Sequence, residues 1–226
     1  MKINNYLRNF PLRLLLLVLL FLISLSLFGF ITHEVLWEKD HEFDQEVFSF
    51  LKSHTNKDLI NFMSAVTFFG SSKFLFSAYV VLVIWYFIRK KEVSALDIAT
   101  IGLAGYFILY LLKGVFKRTR PLNPLIDPLH NFSFPSGHAS SSFIFFGLLI
   151  YLIWKESFTK PVKWVLSAVL LLCSFLIGIS RIYLRLHYAS DVLAGFCLGF
   201  AWISLSIAVL EHFKKKSPPK TLKEAK

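Results

Sequence analysis

The chain reads as an all-α membrane protein: a six-span transmembrane helical bundle with an amphipathic interfacial helix between spans one and two. Three observations predict this. Hydrophobic residues make up 55% of the sequence and charged residues only 17%, against about 25% charged in a typical soluble domain. The apolar residues come in long blocks, several near the roughly 20 residues a helix needs to cross a bilayer. Basic clusters sit between alternate blocks, as positive loops do on one face of a membrane protein.

The spans fall at about 13–33, 72–88, 95–113, 138–154, 162–181 and 188–210. Lys2, Arg8 and Arg13 precede the first, which could pass for a signal peptide. Its run from Leu14 to Ile31 is long enough to span, and Leu27-Phe28-Gly29-Phe30 is no small-x-small cleavage site, so an uncleaved first span is expected. The second span is short and is expected to extend back into Leu59–Gly70, and the fourth is also slightly short. Between spans one and two, Phe43, Val47, Phe50 and Leu51 recur at helical spacing within the polar stretch Glu34–Asp58. Such a stripe fits an amphipathic helix on the membrane surface, and equally an exposed helix packed on the spans.

Charge orients the bundle. Lys2, Arg8 and Arg13, then Arg89-Lys90-Lys91, then Lys155, Lys160 and Lys163, then Lys214-Lys215-Lys216 all fall on one side of six spans. The positive-inside rule makes that side cytoplasmic, with both termini inside; the short six-span form suggests a bacterial inner membrane. Residues 1–212 form one membrane domain, and 213–226 read as a basic, disordered cytoplasmic tail. The net charge of +11 does not mark a nucleic-acid binder, because the basic residues alternate with membrane-length segments. Cys173 and Cys197 each lie inside an apolar block, the place of small packing residues, with no zinc spacing. Nothing in the sequence indicates an oligomeric state.

The outer rim breaks the charge pattern. Lys113, Lys117, Arg118 and Arg120 end span three, Pro135-Ser136-Gly137-His138 opens span four, Ser180 and Arg181 end span five, and His187 and Asp191 open span six. Ionisable groups beside spans are candidates for function. His187 and Asp191 are one helical turn apart, so the carboxylate can hold one ring nitrogen and leave the other free to attack. An ordinary helix-surface pair has the same spacing. Ser136 is a natural N-cap, Gly137 admits a close ligand, and the helix start offers N–H groups to an anion. His138 stands where it could protonate a leaving oxygen. Simple capping would explain the same four residues. Lys113, Arg120 and Arg181 could converge on a phosphate, or anchor at the interface by snorkelling. Lys117, Arg118 and Arg185 are expected to be anchors or to attract anionic head groups. Taken together, all these groups lie at the outer ends of spans three to six.

These segments resemble a known family. Lys113 through Pro121 fits Lys-x6-Arg-Pro, Pro135-Ser136-Gly137-His138 fits a second motif, and Ser180-Arg181, five residues, His187, three residues and Asp191 fit Ser-Arg-x5-His-x3-Asp. The sequence is similar to the type 2 phosphatidic acid phosphatases, whose site is shared by bacterial acid phosphatases, glucose-6-phosphatase and vanadium haloperoxidases. The core match runs over roughly residues 60–210. The resemblance implies a nucleophilic His187 forming a phosphohistidine, oriented by Asp191. It implies that His138 protonates the leaving group and then helps activate water. It implies that Lys113, Arg120, Ser136, Gly137 and Arg181 hold the phosphoryl oxygens. No cofactor and no metal is expected; the carboxylates near the site are essentially Asp191 and Asp127. The implied partner is a phosphorylated lipid within the bilayer: undecaprenyl pyrophosphate, phosphatidylglycerophosphate, phosphatidic acid or a lipid A phosphate. A membrane transporter or a lipid-binding protein using the same basic pocket is the alternative, though no paired broken helices and no inverted repeat support transport. A haloperoxidase is disfavoured by the six spans.

Overall fold

The computed structural model describes residues 12–216, without the side chains of Glu92 and of residues 214–216. The expectations for Lys2, Arg8 and the tail Ser217–Lys226 lie outside those residues. The described chain is helical between its loops. In order it runs α1 (Leu12–His33), a π-helical turn (Glu34–Glu38), α2 (Glu42–Lys52), α3 (Lys57–Phe68), α4 (Ser72–Ile88), α5 (Glu92–Phe116), α6 (Gly137–Lys155), α7 (Lys160–Tyr183) and α8 (Ala189–Lys216).

Six stretches are long and apolar enough to cross a membrane, and they match the six spans read from the sequence. The second extends backward as expected. It runs from Lys57 to Ile88, broken by a turn at residues 69–71. Each half has its own start signal: Asn56 accepts a hydrogen bond from the Leu59 amide at 2.8 Å, and Ser71 accepts one from Phe74 at 3.2 Å. The outward faces carry Leu19, Val81, Leu103 and Leu172, all exposed. In water such a surface would be an aggregation hazard; facing acyl chains it is the solvated surface of an integral membrane protein.

The centre of the bundle is α6 and α8. Just over half (56%) of the apolar window of each is buried, against 11% to 28% in the other four spans. Lipid tails are as apolar as leucine, so close packing rather than water exclusion holds membrane helices together. Two glycines on one face of α8 permit that packing. A Cβ on Gly195 would lie 2.7 Å from the Ser136 carbonyl oxygen, and one on Gly199 would lie 2.9 Å from that of Ser140. The start of α6 is thereby pressed against the first turns of α8. Helix α1 packs along α8, α7 packs on α6 and on α3, and α5 packs on α4 and α6.

The two candidate roles of the interfacial helix turn out to be shared between two faces of α2. Asp44, Val47, Phe48 and Leu51 face the bundle: Phe48 sits 5.7 Å from the Tyr188 ring, and Leu51 packs with Met63, Tyr183, Leu184 and Leu186. Phe43 and Phe50, two turns apart, are exposed. The apolar stripe read from the sequence is therefore split.

Candidate active site

The ends of α5, α6, α7 and α8 that carry the motif residues share one end of the bundle, and backbone bonds tie them together. The Ser136 amide donates to the Asp191 carbonyl at 2.9 Å, joining the starts of α6 and α8. The amides of Leu186 and His187 both donate to the Arg181 carbonyl, at 3.0 and 3.2 Å, folding the α7–α8 link back on α7. The α5–α6 loop is held by Ser133 N–H to the Arg118 carbonyl at 2.8 Å and by Leu125 N–H to the Leu184 carbonyl at 3.1 Å. Ser136 caps α6 as expected, through a stretched contact of 3.5 Å from the Ala139 amide.

His187 is buried, with 1% of its surface exposed, and Asp191 is fully buried behind it. The His187 Nδ1 lies 3.3 Å from Asp191 Oδ2, a loose hydrogen bond. That oxygen also accepts from the Tyr188 amide at 3.0 Å and from the Ser133 hydroxyl. On the other side of the ring, Nε2 lies 3.1 Å from an Arg120 guanidinium nitrogen. A guanidinium can only donate, so Nε2 carries the lone pair and Nδ1 the proton. This is the tautomer a nucleophilic histidine requires.

Arg120 spans the site. Its Nε donates to the Asn131 carbonyl at 2.8 Å, a terminal nitrogen donates to the Asn131 side-chain oxygen at 2.5 Å, and the other donates to the Leu186 carbonyl as well as to His187. Burial pushes its pKa down to about 10, with Asp191 pulling the other way, so it stays cationic near neutrality. Lys113 Nζ donates to the carbonyls of Phe132 at 2.7 Å and Ser133 at 3.2 Å. An ammonium has a third proton for a ligand. Arg181 donates to the Thr67 hydroxyl at 2.8 Å, while its Nε and second terminal nitrogen are buried without a partner. Orphaned buried donors are rare and costly; two on one guanidinium suit an anionic ligand. Lys113, Arg120, Arg181 and His187 all lie within electrostatic reach of one another and of His138. Burial, and then the positive charges of Arg120, Arg181 and Lys113, hold the His187 pKa well below its usual 6.5.

Every residue expected at the site is therefore gathered at one end of the bundle. Two expectations are corrected. Arg118 is no interfacial anchor: its side chain is 6% exposed and donates to Asp191 Oδ1 at 2.6 Å. Burial beside a carboxylate outweighs snorkelling there. Lys117, by contrast, is exposed at the left-handed C-cap of α5, as an anchor would be. The second carboxylate near the site is Asp44 rather than Asp127, which is exposed. Ser133, Thr67 and Asn131 were also missed. Ser133 lies two residues before the second motif, a polar residue in its approach; Thr67 and Asn131 gave no signal.

Among the described residues no set of His, Cys, Asp and Glu is grouped to hold a metal ion. Open cavities of about 170 and 350 Å³ lie toward the opposite end, beside Lys91, Tyr86 and Glu156, and are lined by no histidine.

This chemistry sits in a recognised sequence context. The family model of the PAP2 superfamily matches residues 94–215, more than half the chain. The chain belongs to the PAP2 superfamily. It is 30% identical to phosphatidylglycerophosphatase B of Bacillus subtilis (strain 168) over 158 residues, 68% of this chain and 76% of that protein. It is 38% identical to lipid A 4'-phosphatase of Bacteroides thetaiotaomicron over 96 residues, 39% of each chain. The crystal structure of a transmembrane PAP2-type phosphatidylglycerolphosphate phosphatase from Bacillus subtilis superposes with a TM-score of 0.79 at 25% identity, covering 88% of this chain and 98% of that one. Aquifex aeolicus LpxE gives a TM-score of 0.55 at 27% identity, covering 72% and 93%. The family expected from the three motifs is thus correct, and this PAP2 protein is an integral-membrane phosphatase.

Proposed function

We propose that this PAP2 phosphatase removes a phosphate from a lipid head group through a phosphohistidine on His187, with the site at the outer face of a bacterial inner membrane. One observation carries the reading: a buried imidazole presents its Nε2 lone pair to a cluster of cations whose innermost member, Arg181, has unpaired buried donors. That arrangement stabilises charge developing on a phosphoryl group. Nε2 attacks phosphorus, the bond to the leaving oxygen breaks, and His138 gives that oxygen a proton. Water then attacks the phosphohistidine, passing its proton to His138, and the N–P bond breaks. Lys113, Arg120, Arg181 and the start of α6 at Ser136 and Gly137 hold the phosphoryl oxygens. These donors supply the stabilisation without a metal.

The outward orientation is supported by Arg13, Arg89-Lys90-Lys91, Lys155, Lys160 and Lys163 at the end of the bundle opposite the site. The Bacillus relative's name favours phosphatidylglycerophosphate as substrate, with undecaprenyl pyrophosphate the next candidate. Phosphate release in detergent–lipid micelles tests this, with those two lipids, phosphatidic acid and a lipid A phosphate, each with EDTA. Release in EDTA from one lipid well above the rest names the substrate. Release only with added metal overturns the metal-free mechanism, and no release from any lipid by folded protein overturns the lipid phosphatase reading.

The pH profile follows from the buried nucleophile. With its pKa depressed, His187 stays neutral as pH falls through 6.5, so the acid limb of kcat/KM should lie below that value. The alkaline limb belongs to loss of the His138 proton, giving a bell. An acid limb above 6.5, or activity still rising well past neutrality, contradicts the pair. Stability has the matching sign. The unfolded chain takes up a proton here below about 6.5 and the folded chain does not, so this group's contribution is complete above 6.5 and lost as pH falls. The thermal midpoint of the wild type should therefore drop more steeply than that of His187→Ala between pH 7 and 5.

Gly70 provides a steric test of His138. A Cβ there would lie 3.0 Å from the imidazole ring and would clash with the Ile177 side chain. Gly70→Ala should displace the ring and lower kcat by up to about 100-fold, the cost of roughly 1 Å of misplacement. Unchanged kcat in a folded variant would show that His138 tolerates the shift or does no proton transfer.

A further inference from the structure

The geometry points to Asp44 as a positioning residue for the nucleophile, acting from the interfacial helix through Arg118 and Asp191. Asp44 is 2% exposed on a helix whose neighbouring residues are mostly solvent- or lipid-facing. Its Oδ2 accepts from Arg118 at 2.8 Å and from the Ser190 hydroxyl at 2.6 Å, and its Oδ1 accepts from the Ser190 amide at 2.9 Å. Arg118 then donates from its other terminal nitrogen to Asp191 Oδ1 at 2.6 Å and to the Ser190 hydroxyl at 2.9 Å. Its guanidinium carbon lies 4.1 Å above the Tyr188 ring, and His41 Nδ1 is 3.5 Å from the nitrogen that meets Asp44. The result is a continuous buried row: carboxylate, guanidinium, carboxylate, imidazole.

The charge count gives the row its meaning. In the attack, His187 becomes positive, and the groups behind Nδ1 must support that charge. Asp191 alone would supply one negative charge. Arg118 pressed on it at 2.6 Å would cancel most of that. Asp44, bonded to the far side of the same guanidinium, restores it, so the three groups together carry a single negative charge. Arg118 can therefore fix the orientation of Asp191 without silencing it. Asp44 touches neither phosphate nor nucleophile, so its removal should weaken the transition state and leave ground-state binding alone.

This inference rests on His187 being the nucleophile, which His187→Ala tests separately. With that established, kcat and KM are measured for Asp44→Asn, Asp44→Glu and the pair Asp44→Asn with Arg118→Met. Asp44→Asn should lower kcat about tenfold or more with KM changed less than about threefold. Asp44→Glu should keep more activity. Adding Arg118→Met to Asp44→Asn removes the uncompensated cation and should recover part of the lost kcat. A purely structural role gives the opposite order, the double variant being no better than the single. Unchanged kcat in Asp44→Asn, or no recovery in the double, overturns the proposal. If Asp44→Asn alone cannot be obtained folded, the double variant is compared with wild type. A kcat within about tenfold then supports the charge account and a larger loss overturns it.

Discussion

His187→Ala should be inactive, with kcat lower by at least about 10,000-fold, the scale on which losing a nucleophile acts in covalent hydrolases. The fold should survive. Asp191 loses one donor but keeps the Ser133 hydroxyl, the Tyr188 amide and Arg118. Arg120 loses Nε2 as acceptor and keeps the Asn131 and Leu186 carbonyls. The decisive measurement is a rapid quench after mixing with labelled substrate. A phosphoramidate is acid-labile and stable to alkali, so the wild type should hold alkali-stable label and the variant none. Label in the variant, or turnover within tenfold of wild type, would move the nucleophile elsewhere.

Asp191→Asn carries the second-largest expected effect: a kcat loss of about 1,000- to 10,000-fold, the scale of the orienting acid in a Ser-His-Asp triad. Asp191 is surrounded by donors on both oxygens: Arg118 on Oδ1, and Ser133, Tyr188 and His187 on Oδ2. An amide must turn its NH2 either toward Arg118, which can only donate, or toward Ser133, Tyr188 and His187. If it faces His187, the ring tautomer reverses and the proton moves to Nε2, so the attacking lone pair is gone. Stability should fall by less than the roughly 3–5 kcal/mol of a broken buried ion pair, because Arg118 retains Asp44. Steady-state kinetics with thermal unfolding of the same preparation checks both. A kcat within tenfold of wild type would remove Asp191 from the mechanism.

The spans were legible because each apolar block is a local property, and so was the helix start at Ser136, a capping residue just before an apolar run. The site core was legible for the same reason. His187 and Asp191 sit close in sequence, and the α6 start carries Ser136, Gly137 and His138 in consecutive positions. Each segment's chemistry is visible before the fold is known.

What remained hidden depends on contacts across the chain. Arg118 lay inside a recognised motif, yet its type and place at a membrane rim made snorkelling the default reading. Only the packing of α2 over α8 shows it buried between Asp44, 74 residues away, and Asp191, 73 residues away. Thr67 meets Arg181 across 114 residues, because α3 packs on α7. The amino-acid sequence by itself determined the membrane architecture and the family, and it singled out His187 as the candidate nucleophile. Tertiary structure alone decided which charges are compensated. In a low-dielectric interior a buried ion is tolerated only with a partner, and which partner reaches it is set by helix packing rather than by spacing along the chain.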